Sequence, residues 1–401
     1  MIAAVPAPAV PAAELASIRS LYLHIPFCER KCEYCDFASV AGLRGEAAYV
    51  EALRWEIRRM AETLPGIELD TVFLGGGTPG LIEPARLAAV LDEVRSGFAL
   101  APGAEVTIEA NPSSTSAARA AAWREAGCTR VSLGVQSLEA DVLHFLGRVH
   151  DAGRALAAVA EVRAGGFERV SCDLIYAVPG LDDARWAATV ERVLDLDPGH
   201  LSCYELTVEE GTPLHRSVRR GAVRTVDAET ALRQHWLAID LAAVAGYRQY
   251  EVSNLARPGL ECRHNLAYWG NRPYLAAGTG AHGHLPCGAA RALGLVGDPQ
   301  RAVAVRYWHV RSPDRYTALA SSGALPVDGL ELVDAGAHEQ ERVMVGLRLA
   351  GGVALMEEGM RREAQVLAES GLLEWDGHVA RATRRGQEVL NAVIERLAGD
   401  R

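Results

Sequence analysis

Short apolar runs and helical stripes alternate along the first half of the chain. The runs lie at 21–25, 71–74, 106–109, 130–134, 170–176 and 200–204. Between them apolar residues recur at helical spacing, as Val50, Leu53, Ile57 and Met60 do within 47–60. Similar stretches occupy 84–94, 115–126, 151–164 and 183–194. Six strand–helix units with runs buried on both faces predict a parallel sheet, and an open sheet or a partial barrel satisfies the pattern equally. After Leu206 the rhythm changes. Asp227 is placed to cap a helix whose Leu232, Trp236, Ile239 and Ala243 share a face, and Gly246 ends it. A Gly/Pro-rich stretch follows, and from about residue 330 the pattern predicts helices, a hairpin around Asp376-Gly377 and a closing helix. That helix carries the stripe Val389, Leu390, Val393, Ile394 and Leu397, and the whole segment reads as a small winged-helix-like unit. The expected divisions are an Ala/Pro-rich flexible arm at 1–20, a core at 21–206, an extension at 207–325 and the winged unit at 326–401.

A chain of 401 residues suits two or three domains at roughly 150 residues each. With 49% hydrophobic and 23% charged residues it is globular in composition, not disordered. The formal charge of −10 argues against nucleic acid as a partner. Arg361, Arg362, Arg381, Arg384 and Arg385 near the C-terminus accordingly read as a solvated face. No run reaches the ~18 apolar residues of a membrane helix. The opening residues lack a basic segment and are broken by Pro6, Pro8 and Pro11, so a secretory signal is not expected and a cytoplasmic location is.

Of eight cysteines, Cys28, Cys32 and Cys35 fall within eight residues, directly after the first predicted strand. A disulfide framework belongs to small secreted chains. A structural zinc site takes four ligands, commonly from two knuckles, and no second knuckle exists in this sequence. Four-iron clusters take thiolates readily, and three thiolates leave one iron open to a ligand.

Other candidate chemistry sits at strand ends. Gly75-Gly76-Gly77-Thr78-Pro79 closes the second run, where missing Cβ atoms allow close approach. Glu109 ends the third, in IEANP; Gln136 follows the fourth, in SLGVQSL; Arg148 stands in FLGRVH. Asp173 lies inside VSCDLIYAVPG, where a carboxylate requires a partner. Each has an ordinary structural reading by itself. Together they fall at or near one edge of the expected sheet, where ligands of parallel α/β folds gather.

The C-x3-C-x2-C loop resembles that of the radical S-adenosylmethionine (SAM) enzymes. The ordered series YLHIPFC, GGGTP, EANP, SLGVQS, LGRVH, DLIYAVPG, LSCYELTVEEGTPL, YEVSNLARPG, ECRHNLAYW and GTGAHG is similar to the family of oxygen-independent coproporphyrinogen III oxidase (HemN) and the heme chaperone HemW, from about residue 21 onward. The resemblance implies an α/β fold, a partial (β/α)6 TIM-like barrel with a C-terminal helical or winged element. It implies a [4Fe-4S] cluster on Cys28, Cys32 and Cys35, and SAM against Tyr22, Tyr34, Gly76, Gly77, Thr78, Glu109, Gln136, Arg148 and Asp173. In that superfamily the open iron chelates SAM, and one electron cleaves its sulfonium.

Two functions follow from the resemblance. One is a heme chaperone that delivers heme to a recipient apo-hemoprotein; the other is oxidative decarboxylation of coproporphyrinogen III. The oxidase carries a fourth cysteine two residues past the third, where Phe37 stands here, and a longer N-terminal segment than this chain has. HNLAYW matches a motif associated with the chaperone, making His264 a candidate heme ligand, with Tyr268 and Trp269 lining a porphyrin slot. The competing reading of His264 is a structural histidine in a buried turn, and Cys262 reads as a buried structural thiol. A homodimer, and a peripheral membrane contact through the recipient, are compatible with the resemblance.

Overall fold

The computed structural model describes residues 10–297 and 301–398. Six parallel strands carry the fold: β1 (Ser20–Ile25), β2 (Glu68–Gly76), β3 (Ala99–Ala110), β4 (Arg130–Gln136), β5 (Arg169–Tyr176) and β6 (Gly199–Glu205). They stand side by side in chain order, each on the apolar run that predicted it. The helices between them are α1 (Glu46–Thr63), α2 (Pro84–Gly97), α3 (Ala117–Glu125), α4 (Ala152–Ala164) and α5 (Asp183–Leu194). Asp151 and Asp182 start α4 and α5 by accepting from the main-chain N–H of Arg154 and Arg185.

Alternation along the strands divides the sheet into two unlike faces. Leu21, Leu23, Val72, Leu74, Ile108, Val131, Leu133, Val170, Leu174 and Leu201 are buried in the main apolar core. The residues between them include Tyr22, His24, Phe73, Glu109, Ser132, His200 and Ser202, which line one cavity. Both faces are covered, as the runs predicted, yet one is polar. β1 and β6 are five strand spacings apart, about 24 Å in a flat sheet, and still line that cavity together. The sheet is therefore curled into a partial barrel. It does not close: beyond β1 lies the parallel strand Leu275–Ala277, and beyond β6 come two antiparallel strands, Asn254–Ala256 and Arg248–Glu251.

The helix capped by Asp227, α6 (Ala228–Val244), forms as expected. Its buried face is turned from the predicted stripe, because Ala243 is exposed while Gln234 is buried. The Gln234 amide accepts from Ala177 N–H and donates to the Leu181 carbonyl, satisfying two turn groups that no apolar residue would serve.

The HNLAYW segment forms the short helix α7 (Arg263–Trp269). After β6 come, in chain order, β7 (Arg248–Glu251), β8 (Asn254–Ala256), β9 (Leu275–Ala277), β10 (His282–Pro286), β11 (Ala302–His309) and β12 (Val327–Asp334). The last three make a separate antiparallel sheet, with α8 (Ala335–Gly346) following. A buried network ties this sheet to the barrel. Glu56 of α1, fully buried, accepts from His309 Nε2 at 2.6 Å, from Gly278 N–H at 3.1 Å and from the Tyr316 hydroxyl.

A second apolar cluster runs from Val343 to Leu397. It includes the predicted hairpin, where Leu373–Trp375 pairs with Val379–Ala382 and the Asp376 carboxylate accepts from the main chain of His378 and Val379. The closing helix is Leu390–Ala398; Val389 precedes it and is exposed, so it drops out of the predicted stripe. Two of the C-terminal arginines are tied to neighbours: Arg384, itself exposed, pairs with Asp240 and covers the Trp236 ring, and Arg361 donates to the Leu355 carbonyl. Of the N-terminal arm, residues 1–9 lie outside the described residues. Ala12–Ser17 form a helix from which Glu14 accepts the N–H of Ala289.

Candidate radical SAM site at the barrel mouth

Immediately after β1 the chain makes a short parallel pairing of Phe27–Cys28 with Val40–Ala41. Val40 N–H donates to the Pro26 carbonyl and Gly42 N–H to that of Cys28, both at 2.8 Å. These bonds close the base of a loop that carries Cys28, Cys32 and Cys35, all free thiols and all half-buried. Burial pushes the Cys28 and Cys35 thiols up from their ordinary value. Among the described residues no three His, Cys, Asp or Glu side chains are grouped to hold a single ion. The donor set itself, three thiols on one loop at a sheet edge, matches a cluster in which each thiolate takes its own iron.

A chain of hydrogen bonds joins two of these thiols through the strand ends. Thr78 Oγ1 donates to Cys28 Sγ at 3.7 Å and accepts from Asn111 Nδ2 at 2.9 Å. The Asn111 carbonyl oxygen accepts from Arg148, whose other nitrogen donates to Cys32 Sγ at 3.4 Å. Arg148 also donates to the Gly134 carbonyl at 2.9 Å, and Tyr34 lies beside the same guanidinium. Gln136 adopts the left-handed region (φ 64) just past a register irregularity in β4, a strained conformation at the end of a strand. A Cβ on Gly134 would stand within 3.2 Å of Gln136, Asn111 and Arg148, so the glycine is what lets the three converge.

The glycine run is equally constrained. Gly76 has φ +107, and a Cβ there would sit 2.4 Å from the His24 ring; one on Gly77 would strike the main chain of Pro26. Gly76 N–H donates to Glu109 Oε2 at 3.1 Å. Burial, reinforced by Asp173, pushes the Glu109 carboxyl up to about 8. Asp173 is raised by burial too, against hydroxyl hydrogen bonds from Ser132 and Ser171. The partner that Asp173 needed is thus within the protein. The lumen holds two carboxyls for which proton binding is favoured, the electrostatic setting for a cationic ligand.

The cavity these groups open on measures about 510 Å3, within the usual ~300–1,000 Å3 range for small-molecule sites. Tyr22, Glu109, Tyr204, Tyr268 and His264 line it, and Phe37, 65% exposed, stands at its mouth. Tyr22 is hydrogen-bonded to His24 at 3.1 Å. His264 lies far below the cysteine loop. Its Nδ1 pairs with Thr71 Oγ1 at 2.8 Å, five residues and roughly 16 Å before Gly76 along β2. Nε2 pairs with the Tyr268 hydroxyl at 2.9 Å, and burial pulls the imidazole down to about 3, so it is neutral with both nitrogens engaged. Cys262 is buried with its thiol on Glu105.

The structure therefore brings the cysteines, Tyr34, Thr78, Gln136 and Arg148 to one side of the mouth, and Gly76, Glu109, Asp173 and Tyr22 to the lumen below. Sequence reasoning missed Asn111, the link between the Thr78 and Arg148 ends of the chain. Its signal was present: an Asn ahead of Pro112 at the end of a strand, two residues past Glu109.

Residues 22–193 match the radical SAM superfamily model. Over 386 residues the chain is 40% identical to heme chaperone HemW of Mycobacterium tuberculosis, covering 94% of both. It is 34% identical over 394 residues to the mitochondrial radical S-adenosyl methionine domain-containing protein 1 of Bos taurus, covering 94% of this chain and 86% of that one. Among solved structures, coproporphyrinogen III oxidase (HemN) from Escherichia coli superposes with a TM-score of 0.79 over 96% of this chain and 91% of that one, at 20% identity, a likeness of fold. With the thiol loop at the mouth of a HemN-like partial barrel and full-length similarity to named chaperones, the chain belongs to the HemW family of radical SAM proteins.

Proposed function

We propose that this protein is a heme chaperone: it binds heme and hands it to a recipient apo-hemoprotein in the cytoplasm. In this reading Cys28, Cys32 and Cys35 hold a [4Fe-4S] cluster at the barrel mouth, with Thr78 and Arg148 donating to two of the ligand sulfurs. Such second-layer hydrogen bonds orient thiolates and tune the metal they bind. SAM would be held at the strand ends, with Gly76, Gly77 and Thr78 available to its amino group, Arg148 and Gln136 to its carboxylate and Glu109 to its ribose. Tyr22, Tyr34 and Asp173 complete the surround. When bound, a cluster with one iron free of protein ligands supplies SAM chelation and the electron for sulfonium cleavage. The chain's own part is to seat a cation over Glu109 and Asp173, away from bulk water.

What carries the reading is the three-thiol loop with Phe37, not a fourth thiol, two residues past Cys35 in a chain 40% identical to a heme chaperone across 94% of its length. Anaerobically reconstituted protein should contain iron and sulfide, bind heme saturably, and form no protoporphyrinogen IX from coproporphyrinogen III with SAM and reductant. Absence of saturable heme binding, or appearance of that product, overturns the proposal.

A further inference from the structure

None of the residues that seat the cluster or SAM comes from GTGAHG, yet the structure anchors this motif firmly at the barrel mouth. It runs from the end of β9 into β10. Gly278 takes φ +101, and a Cβ there would stand 2.5 Å from the His24 carbonyl oxygen. Gly280 takes φ +64, and a Cβ there would stand 2.4 Å from that of Ala38, on the cysteine loop. Glycine is what lets the turn lie against both β1 and that loop. Hydrogen bonds then fix it. Thr279 N–H donates to the Tyr49 hydroxyl at 2.9 Å, and the Thr279 hydroxyl to the Val310 carbonyl at 2.6 Å. The Ala281 carbonyl accepts from His309 N–H at 2.9 Å.

This rigid turn holds out His282. The residue is exposed, and it lines the mouth of the 510 Å3 cavity with Phe37, Ala38, Gly280 and Arg311. Its ring is held by stacking alone. Trp308, directly opposite on β11, lies against it with centroids 6.0 Å apart and planes inclined by 24°. Trp308 can lie there because its β12 neighbour is Gly329, where a Cβ would stand 2.4 Å from the indole. Among the described residues no hydrogen bond engages either nitrogen of His282, unlike those of His264. Partial burial, with His309 and Arg311 nearby, pulls the imidazole down from its ordinary value, so it is neutral at pH 7. A neutral, accessible imidazole is the form in which histidine binds metals.

The surroundings select which metal. Zinc takes three or four protein ligands, and among the described residues no three His, Cys, Asp or Glu side chains are grouped for one ion. Heme iron asks the protein for one or two axial ligands, and its macrocycle brings an apolar face and carboxylates of its own. Phe37, 65% exposed, offers a matching apolar surface on the same mouth. Two cations border Phe37. Lys31 Nζ donates to the Phe37 carbonyl at 3.4 Å, and among the described residues no carboxylate pairs with it. Arg311 lines the mouth, paired with Asp36 at 3.2 Å.

We propose that His282 is the axial ligand of the heme this protein carries, at the barrel mouth, with Phe37 available to the porphyrin face and Lys31 and Arg311 to its carboxylates. This rests on the heme-chaperone reading and names where heme is held. It also gives Phe37 a task of its own, as part of the cargo site.

The test is a ferric heme titration of the anaerobically reconstituted full-length protein, read as a difference spectrum against the heme-free sample. Wild type should show a saturable Soret change of imidazole-ligated heme. His282→Ala and His282→Gln should each bind about 10-fold or more weakly, with wild-type iron and sulfide and a wild-type melting temperature. Added imidazole should restore the wild-type spectrum to His282→Ala. Phe37→Ala should weaken binding about 10-fold and keep the spectrum. Should both His282 variants keep wild-type affinity and spectrum, or should His264→Ala alone lose them, the assignment falls and the chaperone reading stands. Heme binding lost from the His282 variants only together with iron and sulfide also overturns the site. Absence of heme binding by wild type removes both.

Discussion

His264 and His282 are both neutral motif histidines, yet they occupy opposite kinds of environment. His264 is buried with a partner on each ring nitrogen, Thr71 and Tyr268. His282 is exposed and, among the described residues, has a partner on neither. The same contrast separates larger regions. The Glu56–His309–Tyr316 network between barrel and small sheet is closed, each carboxylate oxygen taken by the protein. The barrel mouth is open, with three free thiols on its rim loop and the raised Glu109 carboxyl facing a cavity. A residue in a closed network contributes to stability; a residue with spare valence is available to a ligand.

Substitutions should divide the same way. The largest effect belongs to the open mouth: replacing Cys28, Cys32 and Cys35 by alanine should abolish iron and sulfide retention after anaerobic reconstitution, with little change in the melting of the apoprotein. Retained iron–sulfur absorption in the triple variant breaks the comparison. Next comes the closed network. Glu56→Ala leaves the His309 imidazole and Tyr316 hydroxyl buried without their acceptor, and should lower unfolding free energy in urea by about 3–5 kcal/mol. His264→Ala strips one bond each from Thr71 and Tyr268, an expected loss of about 1–3 kcal/mol; a loss no greater than that of His282→Ala would dissolve the distinction between the two histidines.

The mildest test is pH. The Glu109 carboxyl in the folded apoprotein is raised to about 8, above its unfolded value. Its contribution to stability is complete below the unfolded value and disappears as pH rises through about 8. Between those limits the apoprotein should lose at most about 1.4 kcal/mol per pH unit from this group. Urea titrations of Glu109→Gln should show a flatter profile between pH 6 and 8. An unchanged slope would mean that Glu109 is already compensated in the folded apoprotein.

Much of the barrel could be read in advance because its signals are local. Six apolar runs, the helices between them and the Asp227 cap depend on periodicity and side-chain chemistry over a few residues. The cysteine spacing and the glycine run likewise state their chemistry within a loop. Reading was weaker where a side chain answers to distant groups. Gln234 is buried because two main-chain groups of a turn more than 50 positions away need it. Asn111 matters only because Thr78 and Arg148 reach it from either side.

The sequence by itself determined that three closely spaced thiols, a glycine run and strand-end polar residues would gather at one edge of a parallel sheet. Only the tertiary structure decided which side chains remain unsatisfied. Hydrogen-bond saturation is a property of neighbours in space: of two histidines that each stand in a motif, it consumed His264 and left His282 with free nitrogens at an open mouth.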